Sequence, residues 1–357
     1  MKIGILTYHW ANNYGAVIQA YALLSKLKEL GHDAYIIDRR IVYRGILRKL
    51  YHKYSYSHFL SWRKFHKERK LILNPITNKY TSYKQLFTEF KNENFDGVIV
   101  GSDQIWRWKL IGNNYFLDFL EGTNVKRYSY AASFGIDEWQ GSVKERKIIT
   151  SLLKKFDAIS VRERTGIDIC NNTFGVNAKL VLDPTLLHNR FFYENTLLKN
   201  MPQVDNGKVV SYILGSKYKK QTIEIAKWAI NNNLNHNELY WTSIDIPSIV
   251  GYSESHFEHV SISEWLNEIR NAKYVITNSF HATVFSILFE KQFVVLENQS
   301  GGKGRLQTLF ESLDISNRMV NNVGEIESVL QNKIDYNLVK KKHSELIPDS
   351  VSFLLNL

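Results

Sequence analysis

The sequence predicts an α/β chain of two doubly wound domains facing each other across a cleft. Three observations carry that expectation. At 357 residues the chain exceeds one ordinary core and suits two domains. Short β-branched runs alternate with helical apolar patterns, and such βαβ units build parallel sheets. The alternation runs twice, and Asn195, Asn200, Pro202, Asp205, Asn206 and Gly207 accumulate between the two series. The domains are expected at 1–190 and 205–357.

In order, Ile3 to Tyr8 reads as a buried strand and Gly15 to Leu30 as a helix stopped by Gly31. Ala34 to Asp38 is the next strand. A basic, Tyr-rich insertion follows over 39–70. Phe95 to Asp103 is a buried strand ending in a Gly-Ser-Asp corner. Arg127 to Ala131 and Ala158 to Arg162 are strands, with a helix at Val143 to Lys155 between them. Leu180 to Asp183 ends in Asp-Pro, a turn signal. The second series has strands at Val209 to Leu214, Glu238 to Thr242, Tyr274 to Thr277 and Phe293 to Leu296. Its helices are Gln221 to Asn231, Ser263 to Asn271 with Ser263 as N-cap, and Ser279 to Glu290. The last part is helical, and its final helix is expected to pack back on the N-terminal domain.

Composition narrows the function classes. The hydrophobic fraction of 44% and charged fraction of 23% are those of a soluble globular protein. A single cysteine, Cys170, cannot form an intrachain disulfide and suits a reducing compartment. The first strand is too short for a signal-peptide core, and no stretch approaches transmembrane length. The expected location is cytoplasmic, with a peripheral position at the inner face of the plasma membrane left open. The net charge of +11 is concentrated between Arg39 and Lys70, where eleven cations face only Glu68. That pattern suits an anionic membrane surface or a phosphorylated carrier, or is a solvated insertion. No nucleic-acid motif accompanies it, so nucleic acid is not an expected partner.

In open α/β sheets ligands bind beyond the carboxyl ends of the strands. That rule selects the corners at His9 to Gly15, Gly101 to Trp106, Ser133 to Gly135, Arg162 to Thr165 and Thr277 to His281. In the last, a β-branched strand stops at Asn278 and an apolar helix starts at Ser279. Helix N-termini favour anions, and His281 there either binds one, moves a proton on it, or caps its helix. Arg162 and Arg164 follow a strand and suit phosphate or carboxylate, with Glu163 as an alternative partner for Arg164. Arg305 follows Gly301, Gly302 and Gly304 and opens a helix. Asn12, Asn13, Tyr14 and Gly15 form the first corner, which lacks both the G-x-G-x-x-G and Walker patterns. Asp103, Gln104, Trp106 and Trp108 suit a sugar, the rings stacking on it and Asp103 taking a hydroxyl proton; otherwise the tryptophans pack between domains. No metal-ligand spacing occurs at these corners, and no metal is expected.

The segments ILTYHWANNYGAVIQAYAL, DGVIVGSDQIW, YSYAASFG, ISVRERTG, LVLDPTLL and ITNSFHATVFSILF resemble, in this order, the polysaccharide pyruvyl transferase family. The resemblance runs from Ile5 to about Arg318. It implies two Rossmann-like domains arranged as in GT-B glycosyltransferases, and pyruvyl transfer from phosphoenolpyruvate to a sugar of a surface polysaccharide or exopolysaccharide. The product is a cyclic ketal, and phosphate leaves. No cofactor is implied beyond phosphoenolpyruvate as co-substrate. By the match, His281 and Asp103 are the catalytic candidates. Arg162, Arg164, Asn278, Ser279 and Arg305 would lie on the donor side. Asn12, Asn13, Tyr14, Gly15, Gln104 and Trp106 would face the acceptor, which an undecaprenyl link would bring to the membrane. Many members carry Arg, an apolar residue, then His, where this chain has Ser279, Phe280 and His281. Arg305 or Lys303 is the available replacement for that charge. The competing readings are a GT-B glycosyltransferase using a nucleotide sugar and a non-catalytic saccharide-binding protein.

Overall fold

The structure is a computed structural model and describes residues 1–10, 12–40, 56–107, 112–215, 219–239, 257–258, 260–297 and 303–357. Trp108, Gly301, Gly302 and residues 41–55 of the basic insertion lie outside them. So does the end of the strand expected at Glu238 to Thr242.

Two parallel sheets organise the chain. The first orders its strands β2-β1-β3-β4-β5-β6, from β1 Lys2–Leu6, β2 Asp33–Ile36, β3 Gly97–Val100, β4 Lys126–Ala132, β5 Ala158–Val161 and β6 Lys179–Leu180. The second is β12-β11-β10-β7-β8-β9, from β7 Val209–Tyr212, β8 His236–Leu239, β9 Phe257–Glu258, β10 Tyr274–Thr277, β11 Gln292–Leu296 and β12 Met319–Val320. Each sheet switches direction of winding beside its first strand, β1 and β7. That order is the Rossmann-like one and opens a crevice at the carboxyl edge. The central strands read as continuous apolar runs because helices cover both faces: β3 is buried throughout, as are the last three residues of β10.

The helices that bear on the cleft are α1 Tyr14–Glu29, α2 Tyr56–Ile72, α3 Arg164–Asp168, α4 Ile262–Asn271, α5 Phe280–Leu288, α6 Gly304–Leu313 and α7 Tyr336–Leu355. Asn13 caps α1 by accepting from the Ala16 amide at 3.2 Å. Every residue of α5 is buried, as expected of a helix apolar on all sides. The cap of α4 is Ser261, not Ser263. Ser261 forms a reciprocal capping box with Glu264, and the Ser263 amide instead donates to Glu68 of α2 at 3.1 Å.

The two sheets are joined by aromatic packing. Tyr14 of α1 stacks on Trp265 of α4 at 5.3 Å and donates its hydroxyl to the Val260 carbonyl at 2.8 Å. Phe65 of α2 and Tyr212 at the end of β7 meet the same Tyr14 ring edge-on. The α7 helix then returns from the second sheet to the first. Ser350 accepts from the Leu182 amide at 2.9 Å, His343 donates to the Leu186 carbonyl, and Phe353 lies against Tyr130. Among the described residues no helix is long and apolar enough to cross a membrane.

Candidate active site

The carboxyl edges of the two sheets face one another, and the charged side chains concentrate there. After β3 the chain turns at Gly101, Ser102 and Asp103. Asp103 has φ 90°, a value L-residues seldom adopt. The turn is pinned: the Asp103 carbonyl accepts from Ser133 at 3.1 Å and from Ile105 at 2.8 Å, and its carboxylate accepts from the Gln104 amide at 2.8 Å. After β5, Arg162 points into this corner.

Arg162 is buried, and three carboxylates surround its guanidinium. Nη1 donates to Asp183 at 2.8 Å and to Ser102 at 3.3 Å. Nη2 stands 3.5 Å from Asp103, Nε stands 3.7 Å from Glu163, and the Phe280 ring lies 4.6 Å from its face. The guanidinium organises the corner through Nη1, while Nε and Nη2 make no hydrogen bond. Arg162, expected on the donor side, thus stands at the centre of a charged corner of the first sheet.

Asp183, between β6 and a turn, is fully buried and accepts four hydrogen bonds. Ser102 Oγ donates to Oδ2 at 2.7 Å, beside Arg162. Thr185 donates to Oδ1 through its amide at 3.0 Å and its hydroxyl at 2.6 Å. Burial alone would push the carboxyl up. The charge of His281 first, then that of Arg162 and the Thr185 hydroxyl, hold it far below the usual carboxylate range, so it is ionised at neutral pH. Glu163, equally buried, has its carboxyl pushed up by burial.

The second sheet supplies His281, in the first turn of α5. Ser279 is the N-cap, accepting from the Ala282 amide at 3.4 Å. His281 Nε2 lies 3.7 Å from Asp183 Oδ2 and has no hydrogen-bond partner. The other face of the ring rests on α1 of the first sheet. A Cβ added at Gly15 would stand 2.2 Å from His281 Nδ1, so only glycine fits there. At α6 the Gly304 amide donates to Asp137 at 3.2 Å, again across the cleft. Arg305 follows, half-buried, with Nε unpartnered; burial first, and Arg162 second, pull its guanidinium down to about 10.

The structure thus brings together Gly15, Asp103, Arg162, Arg305 and His281. It removes other expected contacts. Trp106 is fully buried in the core of the first sheet, stacked on Phe116 at 5.7 Å with its indole N–H on the Tyr115 carbonyl; it neither faces a sugar nor packs between domains. Tyr14 is interdomain packing rather than an acceptor contact. Asn278 spends its side chain on the backbone of Leu214, accepting at 2.7 Å and donating at 3.0 Å. Arg164 is 63% exposed and pairs with Glu311 at 3.6 Å, while Glu163 turns inward to Arg162. Asn13 is a cap, Asn12 is half-buried beside it, and Gln104 accepts from Arg107 at 3.2 Å at the rim. Ser102 and Glu163 lie in corners that the sequence selected but were given no role at the site, and Asp183 and Thr185 were not foreseen there. The Asp-Pro-Thr run showed only a turn, and nothing local signals that its carboxylate reaches two other strand ends.

Comparison with known proteins completes the description. A UDP-N-acetylglucosamine 2-epimerase from Rickettsia bellii has the same fold at a TM-score of 0.56 and 11% identity, covering 99% of this chain and 97% of that one. The glycotransferase of kitacinnamycin gives 0.55 at 10% identity over 99% and 96%. A spinosyn rhamnosyltransferase gives 0.51 at 10% over the whole of both chains. Likeness at this identity shows the fold alone, two Rossmann-like units arranged as in GT-B enzymes. No curated protein matches the chain. The family model described as polysaccharide pyruvyl transferase matches residues 13–300, a span holding the Asp103 turn, Arg162, Asp183 and His281 while leaving Arg305 outside. With the match covering most of its length and every strand-end corner but one, the chain belongs to the polysaccharide pyruvyl transferase family.

Proposed function

We propose that the chain transfers the pyruvyl group of phosphoenolpyruvate to two hydroxyls of a sugar in a surface polysaccharide, an exopolysaccharide or a lipid-linked precursor. The product is a cyclic ketal. The observation that carries this reading is His281 Nε2, unpartnered in the cleft beside the ionised Asp183.

Ketal formation needs a proton delivered to the methylene carbon of the donor. That step makes C2 electrophilic. The first sugar hydroxyl adds to C2, the C2–O bond to phosphate breaks, and the second hydroxyl closes the ring. Two hydroxyl protons are lost overall: one replaces the proton given to the methylene, and the other leaves on phosphate. His281 is the proton donor in this scheme, and general acid catalysis contributes roughly 10²–10⁴-fold. Asp103, with its side chain 17% exposed at the rim, is the base for a hydroxyl.

Phosphoenolpyruvate is strongly anionic. Arg162 keeps Nε and Nη2 without a hydrogen bond but stands among three carboxylates. Arg305, whose Nε is also unpartnered, is the further donor cation in this reading and stands in for the arginine the family commonly carries two residues before its histidine. Lys303, the other available cation, pairs with Glu297. Asn12 and Gln104 line the acceptor side. A lipid-linked acceptor would place the protein at the inner face of the plasma membrane. Part of the basic insertion is already engaged within the protein, since Arg69 donates to the Trp10 carbonyl and Lys64 pairs with Glu264.

The test is phosphate release from phosphoenolpyruvate with a panel of nitrophenyl hexosides, wild type against His281→Ala. Acceptor-dependent release that the variant loses supports the reading. A thermal shift with nucleotide sugars and none with phosphoenolpyruvate would replace it with glycosyl transfer.

A further inference from the structure

We propose that Asp183 is the positioning residue of His281, and that the first half of the chain thereby sets the orientation of an acid carried by the second. The proposal rests on the reading of His281 as the proton donor.

Asp183 is held more firmly than a turn residue needs. Ser102 and Arg162 fix Oδ2, and Thr185 fixes Oδ1 twice, so the carboxylate cannot rotate. The charge so fixed is aimed across the cleft at His281 Nε2, 3.7 Å away. That gap is too long for a hydrogen bond. The Nε2 proton is therefore not committed to Asp183 and is free to leave for the donor. At that distance the carboxylate still attracts the Nε2 edge of the ring and turns it toward the cluster.

The charged groups near the ring are Asp183 after β6 and Arg162 after β5, with Asp103 and Glu163 behind Arg162. Arg162 Nη1 is bonded to Asp183 itself, so the carboxylate meets the ring as the near member of an ion pair. From α1 the ring meets Gly15, which carries none. The half that does not bear His281 thus holds it from two sides, by shape at Nδ1 and by charge at Nε2.

The experiment compares turnover and donor KM for acceptor-dependent phosphate release in wild type, Asp183→Asn, Ser102→Ala and each of these combined with His281→Gln. Asp183→Asn is expected to lose ~10²-fold in turnover at pH 7.5 with the donor KM within about threefold. Ser102→Ala keeps the carboxylate but removes one hold, so turnover falls about fivefold. Both losses should shrink to less than about twofold in the His281→Gln background. A donor KM that rises in step with the loss of turnover in Asp183→Asn, or equal losses with and without His281, would overturn the proposal. If Asp183→Asn does not fold, the Ser102→Ala cycle decides.

If wild type releases no phosphate from phosphoenolpyruvate, the functional reading fails while this inference stays testable. Diethyl pyrocarbonate acylates an imidazole nitrogen that it can reach. Its rate at His281, followed by mass spectrometry, should rise severalfold in Asp183→Asn because the ring is no longer held against the cluster, and an unchanged or lower rate would overturn the proposal.

Discussion

The two sides of the cleft are built on opposite plans. On the first side, the ends of β3, β5 and β6 put Arg162, Glu163 and Asp183 into one buried cluster of close charges, with Asp103 at its rim. On the second, the end of β10 opens into a helix that is buried on every side, with a single imidazole at its entrance and no acidic residue in its first turn. A buried charge cluster is costly unless each member is paired, and it is rigid once paired. An apolar helix is cheap to bury but offers nothing to tune a proton. The rigid side therefore conditions the reactive group of the other side, and activity depends on the contact between them.

That contrast can be broken at graded strengths. Removing the reactive group, His281→Gln, should cost at least ~10³-fold in acceptor-dependent turnover, because the acid itself is lost. Gly15→Ala leaves every charge in place but drives a methyl group into the ring. It should cost ~10²-fold in turnover while thermal unfolding shows the fold retained. An unaffected Gly15→Ala enzyme would mean that the two sides do not meet as described. Arg305→Ala should act on donor binding, raising the donor KM about 10–50-fold with turnover changed less, the size of one charge-assisted contact. Steady-state kinetics with phosphoenolpyruvate separates that pattern from a loss of turnover. The smallest effect belongs to Arg164→Ala, whose solvated pair with Glu311 should leave both constants within about twofold.

The same contrast explains what the sequence made legible. Alternating periodicity located the strand ends, and the strand-end rule located the corners, because both depend on local order in the chain. Gly31 as a stop and Ser279 as the start of an apolar helix follow from local backbone chemistry. What a strand-end side chain touches is not local. Arg162 looked free because its three carboxylates lie 59 residues before it, next to it and 21 residues after it. Asp183 looked like a turn residue because its role depends on Ser102 and on His281, nearly a hundred residues away. Trp106 looked like a sugar platform because a tryptophan near a carboxylate reads the same whether its ring faces the cleft or the core. Only packing against Phe116 and Phe134 decides that. The cap at Ser261 was misplaced by two residues because both serines precede the same apolar pattern; Glu264, three residues after Ser261, was the available signal.

The most direct test of the account is the reaction run in heavy water with phosphoenolpyruvate and the nitrophenyl hexoside that gives the fastest release, with the product weighed by mass spectrometry. The account predicts a pyruvyl ketal carrying one deuterium in its methyl group, and none of this product from His281→Gln. A deuterated ketal formed equally well by His281→Gln, or a product lacking the pyruvyl group, would contradict it.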